Sequence, residues 1–256
     1  MLERFDLRGR VVVLTGGAGK FGRGLSADLA AANATLVVAS RSLEACEQVA
    51  EEERARGGDV YAMAYDQGDP ASVEALARDV RERFGRVDGL VNNAVGRPMG
   101  ADADPVEGWE NSMRINADGI YHMHRVFGPL LTEGTGSLVN VASIQGMVGP
   151  TLSLYEGTGM SSGQPDYYFH KGGMLNMTRF YAALLGQRGV RVNCVSPGGF
   201  FADQPETFVE RYNAQTFLGR MANESDLGGA VVFLLSDAAA YITAANLPVD
   251  GGYTAH

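Results

Sequence analysis

The sequence predicts a doubly wound α/β fold, a mostly parallel sheet of about seven strands flanked by helices on both faces. Three observations carry that expectation. Short β-branched runs recur along the chain, segments of helical spacing alternate with them, and a glycine cluster separates the first run from the first helical segment. Strands are read in order at Val11 to Leu14, Thr35 to Ala39, Val60 to Tyr65, Val87 to Asn92, Gly136 to Ala142, Val190 to Val195 and Asn246 to Val249. They are short and apolar on both faces, as in a parallel sheet covered from both sides. Helical spacing runs over Phe21 to Ala32, Leu43 to Arg56, Ser72 to Phe84, Pro105 to Leu131 and Tyr167 to Gln187. No low-complexity linker or internal repeat interrupts this rhythm, so residues 1–256 read as one domain. The stretch Gln145 to Asp166 departs from it, with Gly146, Gly149, Pro150, Gly157, Gly159, Gly163 and Pro165 breaking any regular element. A loop longer than about 15 residues in a compact domain is usually functional.

Composition narrows the function. The chain has 256 residues, 45% hydrophobic, with 34 glycines but only 9 prolines and no G-X-Y period. That excludes collagen and low-complexity chains, and the glycine excess points to tight turns and close backbone approach. Acidic residues outnumber basic ones by 30 to 21, for a net charge of −9. A protein that tracks phosphates needs a basic face, so neither nucleic acid nor a membrane surface is an expected partner. The opening MLERFDLRGR lacks the apolar core of a signal peptide. Cys46 and Cys194 stand outside any C-x-x-C pair, which predicts free thiols in a reducing cytoplasm.

The first chemical motif is VVVLTGGAGKFGRG, where a buried strand runs through Gly16, Gly19, Lys20, Phe21 and Gly22 into a helix. Glycines there let backbone N–H groups and the positive end of the helix approach a pyrophosphate. The end of the second strand selects the dinucleotide. An acidic residue would bind the adenosine ribose and repel a 2′-phosphate, but the sequence reads Val38, Ala39, Ser40, Arg41, Ser42. Ser40 can donate to a phosphate and Arg41 can pair with it while stacking on adenine. With Lys20 adding charge, NADP is the preferred cofactor, and NAD stays open if Arg41 only caps a helix start.

Reaction chemistry is read at Tyr167 and Lys171, four residues apart and so on one helix face. An ammonium about 5 Å from a phenol, at an effective dielectric near 20, is worth roughly 3 kcal/mol, enough to bring the phenol towards the range of a general acid. Neither Tyr168 nor Tyr155 has a lysine at the corresponding position. On its own, Y-x-x-x-K is a common pattern.

With these residues in place the chain resembles the short-chain dehydrogenase/reductase family, in its single-domain Rossmann-type branch with an enlarged loop between the catalytic serine and tyrosine. The ordered landmarks are Thr15 to Gly22, Asp66, Asn92-Asn93-Ala94, Asn116, Ser143, the Tyr167/Lys171 pair, Pro197-Gly198 and Val249-Asp250-Gly251-Gly252. The resemblance implies that Tyr167 protonates a carbonyl oxygen or deprotonates an alcohol, that Ser143 holds that oxygen, that Lys171 binds the nicotinamide ribose and lowers the Tyr167 pKa, and that Asn116 supports a relay water. It further implies cofactor contacts at Asp66 and Gln67 beside adenine, at Asn93, Ala94 and Val95 by the adenosine ribose, and at Pro197, Gly198 and Phe200 by the carboxamide. Substrate contacts are expected from Ser143, Gln145, Tyr155, Tyr167, Gly199 and Phe201. A homodimer or homotetramer through the two long helices is expected on the same basis.

Four departures stand out. Lys20 replaces the middle glycine of the usual T-G-x-x-x-G-x-G, leaving T-G-x-x-G-x-x-G, the spacing of two-domain sugar-nucleotide enzymes that this length cannot accommodate. Val95 replaces the glycine after Asn-Asn-Ala, and Ala202 a threonine after Pro-Gly. Ser143 and Tyr167 are also about twice the usual distance apart in sequence. The extra residues, Gln145 to Asp166, are expected over the active-site mouth, or alternatively against a neighbouring subunit. Their polar members Gln145, Ser153, Tyr155, Glu156, Thr158, Ser161 and Gln164 suggest a hydroxylated, sugar-like substrate. Trp109, Phe200, Phe201, Phe208, Tyr212 and Phe217 are candidates for pocket walls, with the last four around a helix that covers substrate in this family. His122, His124 and His170 read as packing or surface residues, and no metal site is expected. The function so read is an NAD(P)-dependent oxidoreductase acting on a carbonyl or secondary alcohol. The alternatives are sugar-nucleotide epimerase or dehydratase chemistry, or a non-redox nucleotide-binding member of the fold.

Overall fold

The structure is a computed structural model that describes residues 2–100 and 104–255. Seven strands, all parallel, form one sheet in the order β3-β2-β1-β4-β5-β6-β7. They are β1 (Val11–Thr15), β2 (Thr35–Ser40), β3 (Asp59–Ala64), β4 (Gly89–Asn92), β5 (Ser137–Val141), β6 (Arg191–Pro197) and β7 (Asn246–Val249). The strand order reverses between β1 and β4, where ligands bind at the carboxyl ends of such sheets.

Both faces of the sheet are covered, as the unalternated strands require. Val12, Leu14, Leu36 and Val38 pack with α1 (Lys20–Ala31), α2 (Leu43–Ala55) and α8 (Gly228–Leu235). Val11, Val13, Val37 and Ala39 point the other way, into α3 (Pro70–Phe84), α5 (Gly119–Phe127) and α6 (Pro165–Gly186). At about 1.5–3 kcal/mol per fully buried large apolar side chain, these two layers hold the strand ends that carry the site. Local signals set the helix starts. Ser42 caps α2 by accepting from the Ala45 N–H, and Asp69 followed by Pro70 caps α3. Asp104 accepts from the Val106 and Glu107 N–H groups at the start of α4 (Pro105–Met113).

The helix expected from Pro105 to Leu131 is broken in two places. A π turn over Arg114–Asp118 separates α4 from α5. There the Gln67 side chain donates to the Ile115 carbonyl at 2.9 Å and Arg114 donates to the Gly68 carbonyl at 2.7 Å, the kind of outside partner that opens a helical ladder. Pro129 then ends the run in a short 3-10 turn. The sequence reading missed α8, because GGAVVFLL is apolar all round and has no polar face to reveal a helical period. Among the described residues, no helix is long and apolar enough to cross a membrane.

Candidate active site

A cavity of about 850 Å³ runs across the carboxyl ends of the strands, from the glycine turn after β1 to the start of α6. Gly16 has φ +66°, and a Cβ there would stand 2.8 Å from the Ala94 Cα. A Cβ on Gly22 would run into the Gly16 carbonyl, so Gly22 serves the turn from within while Gly16, Gly19, Lys20 and Phe21 line the cavity. Thr15 ties the turn to β4: its hydroxyl donates to the Val91 carbonyl at 3.2 Å and accepts from the Asn93 and Ala94 N–H groups at 3.0 and 3.1 Å. The Asn93 amide donates to the Thr15 and Gly16 carbonyls, so this side chain braces the loop. The helix α1 starts at Gly19 with no side-chain cap, leaving its first N–H groups for an anionic ligand. A turn that needs glycine at Gly16 and Gly22, beneath an uncapped helix N-terminus, fits a dinucleotide pyrophosphate.

Lys20, Ser40, Arg41 and Ser42 line one end of this cavity. Arg41 is exposed, while the Ser40 hydroxyl donates to the Ser42 carbonyl at 3.2 Å and lies 3.0 Å from the Cys46 sulfur. Asp66, Gln67, Ala94 and Val95 line the adjoining wall. Gln67 accepts from the Tyr65 hydroxyl at 2.7 Å while holding Ile115, so its amide is committed to joining the end of β3 to the π turn.

At the other end, Ser143, Tyr167 and Lys171 face the same space. The Ser143 hydroxyl accepts from the Gln145 N–H at 3.1 Å, which leaves its own proton to donate. Lys171 is buried, its Nζ donates to the Val141 carbonyl at 2.6 Å and lies 5.7 Å from the centre of the Tyr167 ring. Burial pushes this ammonium down to about 8, and the Arg97 charge acts in the same direction. Arg97 itself, absent from the residues singled out in the sequence, places its guanidinium 4.5 Å over the Tyr167 ring. Tyr168 is a strut by contrast: its hydroxyl accepts from the Gln145 amide at 3.0 Å and donates to the Ser162 carbonyl at 3.1 Å, and burial pushes it up to about 12.

Asn116 lies buried in the π turn, behind the cavity wall. Its oxygen accepts from the Gly96 N–H and its nitrogen donates to the Gly96 carbonyl, both at 2.9 Å, and to the Ser112 hydroxyl at 3.1 Å. Ser112 in turn donates to the buried Asp166 carboxylate at the start of α6. A second buried group, Asn92, Asn140, His124 and Thr178, ties β4 and β5 to α5 and α6. His124 is kept neutral there, pushed down to about 4 by burial. His170 is buried against Tyr167, with ring centres 5.2 Å apart, and its two nitrogens have no hydrogen-bond partner among the described residues.

The enlarged loop does reach the cavity, through two short 3-10 turns, Ile144–Gly146 and Leu152–Leu154. Its contributions are Gln145, Val148, Gly149, Pro150, Thr151, Leu154 and Tyr155. Ser153, Glu156, Thr158, Ser161 and Gln164 lie outside the lining, so the wall is less polar than the loop composition suggests. Gly199 lines the cavity but Phe201 does not, being 48% exposed with its N–H bonded to the Ala222 carbonyl. Of the other aromatic candidates, Phe200 and, on α7 (Glu206–Ala214), Phe208 and Tyr212 are walls, whereas Trp109 packs on Phe169 and Phe217 lies elsewhere. Pro197 and Gly198 also line the cavity. Gln204, unmarked in the sequence, accepts from the Ala202 N–H and donates to the Phe200 carbonyl, holding the segment where the usual threonine is missing. Among the described residues, no group of three or more His, Cys, Asp or Glu could hold a metal.

Comparison with known proteins finds likeness over almost the whole chain. The short-chain dehydrogenase family model described as enoyl-(acyl carrier protein) reductase matches residues 17–254. Meso-2,3-butanediol dehydrogenase of Serratia marcescens is 32% identical, over 98% of this chain and 96% of its own. D-threitol dehydrogenase of Mycolicibacterium smegmatis is 34% identical, over 98% and 95%. The crystal structure of a gluconate 5-dehydrogenase from Burkholderia cenocepacia, in complex with NADP and tartrate, superposes with a TM-score of 0.87 at 28% identity, covering 100% of this chain and 99% of that one. The chain belongs to the short-chain dehydrogenase/reductase family.

Proposed function

We propose that this chain interconverts a secondary alcohol and a carbonyl on a polar, polyol-like small molecule, using a nicotinamide dinucleotide and preferring NADP(H). The observation that carries this reading is that Ser143, Tyr167 and Lys171 meet at one end of a cavity whose other end is the glycine cradle. When bound there, the nicotinamide accepts or supplies the hydride. Ser143 directs its unused proton at the substrate oxygen. Tyr167 takes the proton from the alcohol, or returns it to the carbonyl oxygen. Lys171 holds positive charge beside the phenol in a site too buried for water to screen it. Asn116 fixes Gly96 and the π turn; both of its amide protons are engaged, so its side chain has no proton left to donate to a relay water.

The preference for NADP(H) rests on Lys20 and Arg41 at the rim, with no acidic residue at the end of β2. The substrate class is supported by relatives named for a butanediol, threitol and gluconate. Val106 and Tyr121 on α4 and α5, and Phe169, Phe180 and Leu184 on α6, are exposed apolar residues, which supports a homodimer or homotetramer. A cytoplasmic location fits two buried free cysteines. The test is Tyr167→Phe, which lowers turnover about 10²–10⁴-fold while leaving cofactor affinity nearly intact. Unchanged turnover refutes the assignment.

A further inference from the structure

Among the described residues, Arg97 is the one cation at the catalytic end of the cavity that the chemistry above leaves without a task. Its main chain is held in place, because the neighbouring Gly96 has both its N–H and its carbonyl bonded to the buried Asn116 side chain. Its guanidinium lies over the Tyr167 ring at 4.5 Å, and its charge is felt at Lys171 and His170. Among the described residues it has no ion pair and no hydrogen bond, although a guanidinium carries five donors. The other residues that line this end, Ser143, Gln145, Thr151, Tyr155 and Gln204 among them, include no carboxylate. A chain of net charge −9 therefore presents, beside its reacting phenol, a guanidinium that no described carboxylate neutralises.

We infer that Arg97 anchors a carboxylate of the substrate, so that the substrate is a short hydroxy acid or its keto acid rather than a neutral polyol. A guanidinium presents a planar fork that matches a carboxylate, and Arg97 is exposed at the cavity, so that fork is open to an entering ligand. The ring beneath orients the guanidinium, and a carboxylate held there places a hydroxyl a few bonds away against Ser143 and Tyr167. The inference rests on the oxidoreductase reading above and narrows its substrate.

The test uses the full chain saturated with cofactor, as wild type, Arg97→Gln and Arg97→Lys. Calorimetric titration compares tartrate with tartramide, in which neutral amides replace both carboxylates. Wild type is expected to bind tartrate at least tenfold more tightly than tartramide, Arg97→Gln to lose that preference and Arg97→Lys to keep part of it. Equal binding of the two by wild type, or an undiminished preference in Arg97→Gln, overturns the inference. In parallel, hydroxy acids of three to six carbons are compared with their amides as substrates for oxidation. The acid-to-amide ratio of kcat/KM is expected to fall at least tenfold in Arg97→Gln, mainly through KM for the acids. Efficient oxidation of amides and acids alike overturns the carboxylate anchor but leaves the oxidoreductase reading standing. Reduction of neither cofactor by any acid or amide, with tartrate still binding through Arg97, overturns the oxidoreductase reading instead.

Discussion

Replacing Lys171 by Met should make the protein more stable and inactive at once. The ammonium is 3% exposed and burial holds its pKa at about 8, against 10.5 when free. At roughly 1.36 kcal/mol per pKa unit, keeping it charged in the fold costs about 3 kcal/mol below pH 8. Methionine keeps most of the apolar stem and removes the charge. It also leaves the Val141 carbonyl without its donor, at a cost of about 1–2 kcal/mol. The net expectation at pH 7 is a gain of about 1–2 kcal/mol, or roughly 2–8 °C in Tm for a chain of this size. The sign with pH follows. Between pH 8 and 10.5 the unfolded wild type binds the proton that the folded form has released, so wild-type stability rises through that window by up to about 3 kcal/mol. The variant lacks this rise, so its advantage shrinks from pH 7 to pH 10.5. Urea unfolding of both proteins across that range, at equal concentration and in a Tyr167→Phe background that removes the phenol coupled to Lys171, reads the difference directly. A variant less stable than wild type at pH 7, or a difference that does not change with pH, refutes the claim that the fold bears a cost at this lysine.

Tyr168→Phe should keep turnover within a few-fold of wild type, because its hydroxyl only links Gln145 to Ser162; a loss equal to that of Tyr167→Phe in steady-state kinetics would reassign the phenol. Arg41→Asp should shift the ratio of kcat/KM for NADP over NAD by at least about tenfold, or 1.4 kcal/mol, and an unaltered ratio contradicts the 2′-phosphate site. Ser112→Ala leaves the buried Asp166 carboxylate without its donor and should cost about 2–3 kcal/mol in urea unfolding. Asp166→Asn retains an acceptor for that hydroxyl and should cost less, so the reverse ranking contradicts the proposed bracing of α6.

Much of the fold was legible because its signals are local. The β-branched runs mark all seven strands, and Asp69-Pro70 marks a helix start more accurately than the apolar spacing that places it at Ser72. The glycine turn and the Tyr167/Lys171 pair carry their spacing in the sequence. What was not legible depends on partners distant in the chain. Gln67 opens the π turn at Ile115 from 48 residues away, so one expected helix became two. The uniformly apolar α8 shows no period at all. The loop from Gln145 to Asp166 is expected over the active-site mouth or against a neighbouring subunit, and its composition does not say that Val148, Pro150 and Leu154 line the cavity while Glu156 and Gln164 do not. Arg97 was overlooked because a single arginine in a loop has no pattern, and its position over Tyr167 exists only once β4 and α6 are brought together.

An oxidoreductase consumes nicotinamide as a reactant, in step with its substrate. With purified protein, either cofactor and a hydroxylated substrate, the change in absorbance of reduced nicotinamide is measured against the amount of carbonyl product formed. Equal amounts of the two, lost together in Tyr167→Phe, are the predicted result. Product formed with no net change in the cofactor, or nucleotide bound without any turnover across a panel of hydroxy acids and polyols, contradicts it.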